Sequence, residues 1–406
     1  MAAMEMSIEN LQQQYKAELQ AELQNIISYW STYTVDAVYG GFLGKIANDN
    51  IVDEYADKGA VLNARILWSF SAAYNQDAQF DLRLADRAYN YIAGHFIDAD
   101  FGGVYWTVDY TGKPKDTKKQ VYAQAFTIYA LSEYFMARGY DVVKDHAIAL
   151  YRDLVNYSYD AEKGGYFEAF SRDLKSLEDL RLSYKDANEK KTMNTHLHIL
   201  EAFTNLYRIW PDAGLKDRII ELLRDFQEHI VDAKTSRMNL FFDENWKAKS
   251  DIISYGHDIE ASWLLQEAAE VIGKSGLLQD IQGLALRMAS AALEGVDLDG
   301  SLWYEQEPSK NHTVKEKHWW VQAEAMVGFY NAWQLNGDST FLQTSVNTWN
   351  FVKQHILDKQ HGEWLWGVNE QGQLMAKEDK AGLWKCPYHN SRACIELIRR
   401  IEKRHP

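Results

Sequence analysis

A glycine-turn motif recurs in this chain at a nearly constant interval, and that interval restricts the fold more than any other feature. "YGGF" carries Gly40 and Gly41, "FGGVYW" carries Gly102 and Gly103, and "KGGYFEAF" carries Gly164 and Gly165. Gly41, Gly103 and Gly165 are spaced 62 residues apart. A longer step leads to the Met238–Asn239 turn of "SRMNLFFDENW"; from Met238 it is 62 residues to Gly300 in "DGSLWYE" and 62 more to Gly362 in "HGEWLWGV". Six such units nearly exhaust the 406 residues. Repeats of this kind bury each unit's apolar face against its neighbours, so they decide architecture before local signals do.

One unit shows what repeats. "FDLRLADRAYNYIAGHF" places Leu82, Ala85, Tyr89, Ile92 and Phe96 at helical spacing with charges between them, the pattern of an amphipathic surface helix. The glycine pair follows, where positive φ lets the chain turn sharply. "GVYWTVDYTGKPK" then reads as a short hairpin around a Thr-Gly turn. "VYAQAFTIYALSEYFMA" is apolar nearly all round and therefore a buried helix. Equivalent buried helices are "VLNARILWSFSAAY", "MNTHLHILEAFTNLY", "GHDIEASWLLQEAAEVI", "HWWVQAEAMVGFYNAW" and "YHNSRACIELIRRI". Six inner helices ringed by six outer ones form an all-α (α/α)6 barrel with short β-hairpins in the connecting loops. The alternative, an open solenoid of six hairpins, needs polar capping units at both ends, and the first and last inner helices are not polar.

No Pro/Gly/Ser linker, low-complexity tract or like-charge block interrupts the chain, so residues 1–406 are expected to form one domain. A net charge of −15 argues against a nucleic-acid partner. Two cysteines, Cys386 and Cys394, are too few for a disulfide framework. "MAAMEMSIENLQQQYKAELQ" lacks the apolar core of a signal peptide, and no apolar run is long enough for a bilayer. A cytoplasmic location without a membrane partner is the expectation.

The first turn of each inner helix carries polar residues unexpected in an apolar element. These are Arg65; Tyr122 with Gln124; Asn194 with His196 and His198; His257 with Asp258 and Glu260; His318 with Trp319 and Trp320; and His389 with Asn390 and Arg392. In a toroid these six turns meet at one end of the cavity, and convergent polar groups on an apolar wall are the usual form of a small-molecule site. Taken singly, each has a plainer role as a core hydrogen-bonding group, an ion-pair partner or a helix cap. A metal is poorly served: His196 and His198 point about 200° apart on one helix, and no HExxH or CxxC pattern occurs. No motif supports a serine or cysteine nucleophile. A glycoside hydrolase would need paired carboxylates, one with a raised pKa; the cluster holds Glu260 and Asp258 but is dominated by histidines. Proton transfer by neutral imidazoles fits the composition best.

"NARILW", "GGVYW", "MNTHLHILEA", "SYGHDIEASWLL", "HWWVQAEAMVGF" and "WKCPYHNSRACIE" together resemble the cellobiose 2-epimerases of the N-acylglucosamine 2-epimerase superfamily, from about residue 20 to 400. The resemblance implies the same (α/α)6 barrel and a sugar substrate, cellobiose or a related disaccharide, with mannose and glucose as alternatives. It implies no metal and no cofactor. It assigns His257 and His389 as acid and base on opposite faces of the opened sugar. His198 would assist ring opening and hold the oxygens, and Arg65 would stabilise the enediolate. Tyr122, Asn194 and Glu260 would contact the reacting sugar, Trp320 and Trp384 would be aromatic walls, and Asp186 and Tyr304 would touch the second sugar. Rival readings on the same fold are an epimerase of free mannose, an N-acylglucosamine 2-epimerase and an aldose–ketose isomerase. From other classes come a glycoside hydrolase with Glu260 as acid and a carbohydrate-binding protein.

Overall fold

The computed structural model describes residues 7–403. Among the described residues, twelve α-helices alternate between an outer and an inner ring. The outer helices are α1 (Ile8–Tyr33), α3 (Arg83–Tyr91), α5 (Asp141–Ser158), α7 (Ala213–Asp225), α9 (Ser275–Ala292) and α11 (Ser339–His355). The inner ones are α2 (Ala60–Gln76), α4 (Val121–Arg138), α6 (Met193–Ile209), α8 (Tyr255–Ile272), α10 (Trp319–Asn336) and α12 (Tyr388–Glu402). Outer helices bury one stripe, as α5 does with Val143, Ala147, Leu150 and Leu154. Inner helices bury most of their length, as α4 does from Val121 to Tyr134.

The inner helices pack in the circular order α2–α4–α6–α8–α10–α12, and α12 returns to α2. Helix α1 packs against both α12 and α2. Gly139, Gly273 and Gly337 end α4, α8 and α10 in the left-handed conformation, so the chain turns back at once into the next outer helix.

A two-residue strand before each of α2, α4, α6, α8 and α10 pairs with the strand after the next unit's turn. Lys58–Gly59 pairs with Thr107–Val108, Lys119–Gln120 with Ala169–Phe170, and Lys191–Thr192 with Phe241–Phe242. Ile253–Ser254 pairs with Glu305–Gln306, and Lys317–His318 with Gly367–Val368. Ile46 bridges Ala381, with the Ile46 amide donating to the Ala381 carbonyl at 2.8 Å, and so joins the first unit to the sixth. The expected hairpin is present, with Thr107–Val108 against Pro114–Asp116.

An aspartate at each turn accepts backbone N–H groups of that turn, and in five units it also holds a buried lysine. The pairs are Asp36–Lys58 (2.7 Å), Asp98–Lys119 (2.8 Å), Asp160–Lys191 (2.9 Å), Asp297–Lys317 (3.0 Å) and Asp358–Lys380. In the fourth unit Asp232 binds the Lys234 and Thr235 amides, and Ile253 stands at the lysine's strand position.

The turns have the positive φ expected of their glycines, for example 71° at Gly164 and 75° at Gly165. A Cβ on Gly165 would lie 2.4 Å from the Trp246 ring. The fourth turn differs from the sequence reading. Val231 bridges Met238 as Ile97 bridges Val104, so Met238 follows the turn and Ser236, with φ 57°, occupies the first glycine position. A serine in the left-handed region gives no sequence signal comparable to Gly-Gly, which is why the register slipped there.

Candidate active site

Two registers along the inner helices separate scaffold from site. The fourth residues of α4, α6, α8 and α10 are Gln124, His196, Asp258 and Gln322. Each accepts the backbone N–H of the residue after its unit's turn: Val104 at 2.7 Å, Tyr166 at 2.9 Å, Met238 at 2.9 Å and Leu302 at 2.8 Å. These side chains pin turns to helices. Gln124, His196 and Asp258, part of the polar cluster read from sequence, therefore belong to the scaffold. His318 lies before α10, tilted against Tyr304 with ring centroids 4.1 Å apart and bonded to Glu316 at 2.9 Å.

The sixth residues converge. Arg65, Phe126, His198, Glu260 and Glu324 hold that place in α2, α4, α6, α8 and α10, and Arg392 holds it in α12 counted from Pro387. Residues one turn nearer the helix starts complete the cavity: Tyr122, Asn194, His257, Trp320 and His389.

His257 and His389 share one aromatic neighbour. The Trp320 ring lies 4.7 Å from the His257 ring and 5.8 Å from that of His389, centroid to centroid. Each imidazole is held through Nδ1. His257 bonds Ser254 Oγ at 2.8 Å, and His389 bonds Glu324 Oε1 at 2.6 Å. Neither Nε2 has a hydrogen-bond partner among the described residues. Burial pushes His257 down to about 3. Burial, with the Arg65 and Arg392 guanidiniums adding to it, holds His389 well below the usual imidazole range. Both rings are thus neutral at pH 7.

His198 is fixed by Glu201 at 2.9 Å and sits edge-on to Tyr122, 5.0 Å between centroids. Arg65 donates to the Tyr122 hydroxyl at 2.8 Å and lies over the Phe126 and Tyr388 rings. Its Nε, like Asn194 Oδ1, is buried without a hydrogen-bond partner. Buried polar atoms of that kind suit a polyhydroxylated ligand. Trp384 stands 6.0 Å from Tyr122 and 5.8 Å from Trp106, and Tyr304 meets Trp320 edge-on at 6.2 Å. Asp186 lies on the loop before α6, accepts the Ser183 amide at 2.8 Å, and is partly buried. Arg65, Tyr122, His198, Glu260 and His389 form a buried floor, while Asn194, His257, Trp320, Trp384, Tyr304 and Asp186 are half-buried towards the mouth.

Sequence reasoning left three residues out of the site: Glu201, Glu324 and, as more than a polar first-turn residue, Arg392. The Arg392 guanidinium bonds Glu260 and Glu324 at 2.6 Å each and also reaches Glu201 and the Tyr388 hydroxyl. A charge recurring at the sixth position of four inner helices was the available signal. Burial and the facing Glu324 push Glu260 up to about 7, and burial raises Glu324. Burial also acts to raise Glu201, but Arg392 and the His198 bond outweigh it and hold the carboxyl at about 2. Ligand atoms of Glu260, Glu324 and His389 lie within 4.8 Å of one another, a spacing a metal could span. Arg392 already places its charge on both carboxylates, so the cation this cluster is built around is the guanidinium.

The profile of the N-acylglucosamine 2-epimerase (GlcNAc 2-epimerase) family matches residues 40–393. A cellobiose 2-epimerase of Bacteroides fragilis is 49% identical over 385 residues, covering 94% of this chain and 98% of that protein. The Dictyoglomus turgidum cellobiose 2-epimerase is 39% identical over 389 residues, 95% of this chain and 98% of that one. The solved structure of cellobiose 2-epimerase from Bacillus thermoamylovorans superposes with a TM-score of 0.91 at 39% identity, covering 96% of this chain and all of that one. Fold, cavity and relatives define a carbohydrate epimerase, an enzyme of the isomerase class. The chain belongs to the N-acylglucosamine 2-epimerase family.

Proposed function

We propose that this chain epimerises the reducing-end glucose and mannose units of β-1,4-linked disaccharides at C2, with cellobiose as the type substrate. The observation that carries this reading is the pair of neutral imidazoles, His257 and His389, each anchored by Nδ1, flanking Trp320 in one cavity. The 49% identity to a cellobiose 2-epimerase over nearly the whole chain supports the disaccharide.

The reducing sugar opens to its aldehyde, which makes the C2 proton acidic. The His257 Nε2 lone pair takes that proton and leaves a cis-enediolate. His389 returns a proton from its Nε2–H to the opposite face of C2, while its Nδ1 takes the proton of Glu324. C2 is inverted, and one proton has passed from Glu324 to His257. The reverse reaction runs the same steps backward, with His389 as base. Arg65 and His198 hold the enediolate oxygens, where fixed charge in a water-poor cavity acts most strongly. Tyr122, Asn194 and Glu260 bind the reacting sugar's hydroxyls. Trp320 and Trp384 offer faces to C–H groups of the rings, and Asp186 and Tyr304 meet the second sugar. A hydrolase reading would need Glu260 free to protonate a leaving group, but its carboxylate is tied to Arg392. Because the first and last units share a seam, we read the chain as one catalytic domain. Among the described residues no helix is long and apolar enough to cross a membrane. Two buried free cysteines fit a reducing compartment such as the cytoplasm.

Incubation with cellobiose, mannose and N-acetylglucosamine in deuterated water tests the proposal. Deuterium at C2 of the reducing unit with formation of the epimer is expected, fastest for cellobiose. Release of monosaccharide would indicate hydrolysis, and neither change would indicate binding alone.

Asp186→Ala is expected to raise KM for cellobiose by about 10-fold, the loss of roughly one charge-assisted hydrogen bond, with a smaller effect on mannose. Equal effects on both sugars would remove Asp186 from the second-sugar site. The pH profile follows from the burial of the rings. His257 stays in its basic form well below pH 6.5. The acid limb of kcat/KM for the direction that uses His257 as base is therefore expected below the ordinary imidazole value. A limb at the ordinary value in the C2 exchange rate would contradict the assignment.

A further inference from the structure

We propose that Arg392 is a positioning residue that holds the orienting carboxylates of both His198 and His389, so that the two imidazoles are set by one buried hub rather than independently. The proposal rests on the epimerase reading for its kinetic consequences but not for its structural ones.

Arg392 projects from α12, and both its Nη atoms are used. Nη1 binds Glu201 on α6 and the Tyr388 hydroxyl, and Nη2 binds Glu260 on α8 and Glu324 on α10. The guanidinium also lies over the Trp263 and Tyr388 rings, 4.8 and 4.3 Å from their centroids. It is 1% exposed, as are its three carboxylate partners at the side-chain level. Glu201 fixes His198 Nδ1 and Glu324 fixes His389 Nδ1. The chain of contacts His198–Glu201–Arg392–Glu324–His389 therefore joins three helices of the ring, α6, α10 and α12, through one planar group.

The fork geometry matters. A guanidinium offers donors in several fixed directions, whereas an ammonium is a point charge on a flexible stem. Lysine at this position could balance charge but could not hold carboxylates on both sides at once. The three carboxylates also outnumber the one guanidinium, so each depends on Arg392 to stay in place. If the hub is removed, Glu324 and Glu201 are free to turn, and the imidazoles they orient turn with them.

Arg392→Lys is expected to lower kcat by about 100-fold, the effect of a small misplacement of reacting groups, with KM within about 3-fold of the parent. In the substrate-free protein, ¹⁵N spectra of the imidazoles should change from a single tautomer at each ring to a mixture of tautomers at both His198 and His389. A folded Arg392→Lys enzyme with parental kcat and unchanged imidazole spectra would overturn the proposal. Glu201→Gln decides the matter if the lysine variant does not fold. Glu201 contacts His198, Tyr388 and Arg392 but not His389. Coupling through the hub predicts that this substitution disturbs the His389 spectrum as well as that of His198. A change confined to His198 would show that the two rings are set separately. These spectra need no turnover, so a protein inactive on every sugar would refute the epimerase proposal while leaving the hub to be judged on its own.

Discussion

Alanine at His257 or at His389 is expected to reduce epimerisation by about 10²–10⁴-fold, the usual worth of a positioned general acid or base, while the folded structure persists. The two rings hang into the cavity from the first turns of α8 and α12, and the helices beneath them are packed by other residues. The more telling readout is isotopic. A variant retaining one imidazole still has a base on one face of C2. It should wash deuterium into that face's epimer without delivering a proton to the other, so exchange should survive in one sugar of each pair and fail in the other. The two variants should show opposite preferences, read by NMR of the C2 proton in deuterated water. Near-parental turnover in either variant, or the same preference in both, would rule out the two-face arrangement.

Lys191→Met is expected to destabilise the fold by about 3–5 kcal/mol, the cost of leaving a buried charge without its partner. The Lys191 ammonium donates to Asp160 at 2.9 Å and to the Gly164 and Glu244 carbonyls at 2.6 and 3.0 Å, and it is itself fully buried. Methionine keeps the length and removes all three donors. A clear drop in the urea midpoint is the expected measurement, and a midpoint unchanged from the parent would show that the pair contributes little. The same pair makes stability depend on pH. Burial alone would raise Asp160, but the Lys191 bond and two turn amides outweigh it and keep the carboxyl below its ordinary value. Its contribution is therefore complete above the unfolded carboxylate value of about 3.9 and is lost as pH falls through the lower folded one. Asp297 and Asp358 follow the same rule with Lys317 and Lys380.

The ring of hairpins could be read from the sequence because the glycine spacing and the all-round apolarity of the inner helices are both one-dimensional signals. The fourth turn was misplaced because Ser236 adopts a left-handed conformation that the sequence does not advertise. The polar first turns were visible, but their division of labour was not. Gln124 and Tyr122 are two residues apart and face opposite tasks, one bonding a turn and the other meeting Arg65. Only the direction of each side chain separates them, and that depends on where the neighbouring helices sit. Glu201 and Glu324 escaped notice for a related reason. Each reads as one more charged residue inside a helix, and its importance comes from Arg392, distant in sequence and brought near by closure of the ring.

The seam between Ile46 and Ala381 has a mechanical consequence. An open array of hairpins frays from its ends, where a unit can peel away by giving up a single neighbour. Here the first and last hairpins are each gripped from both sides, so every unit must break two contacts to leave. Such a hoop loses structure all at once or hardly at all, and its bore keeps a fixed width without any cross-link to brace it.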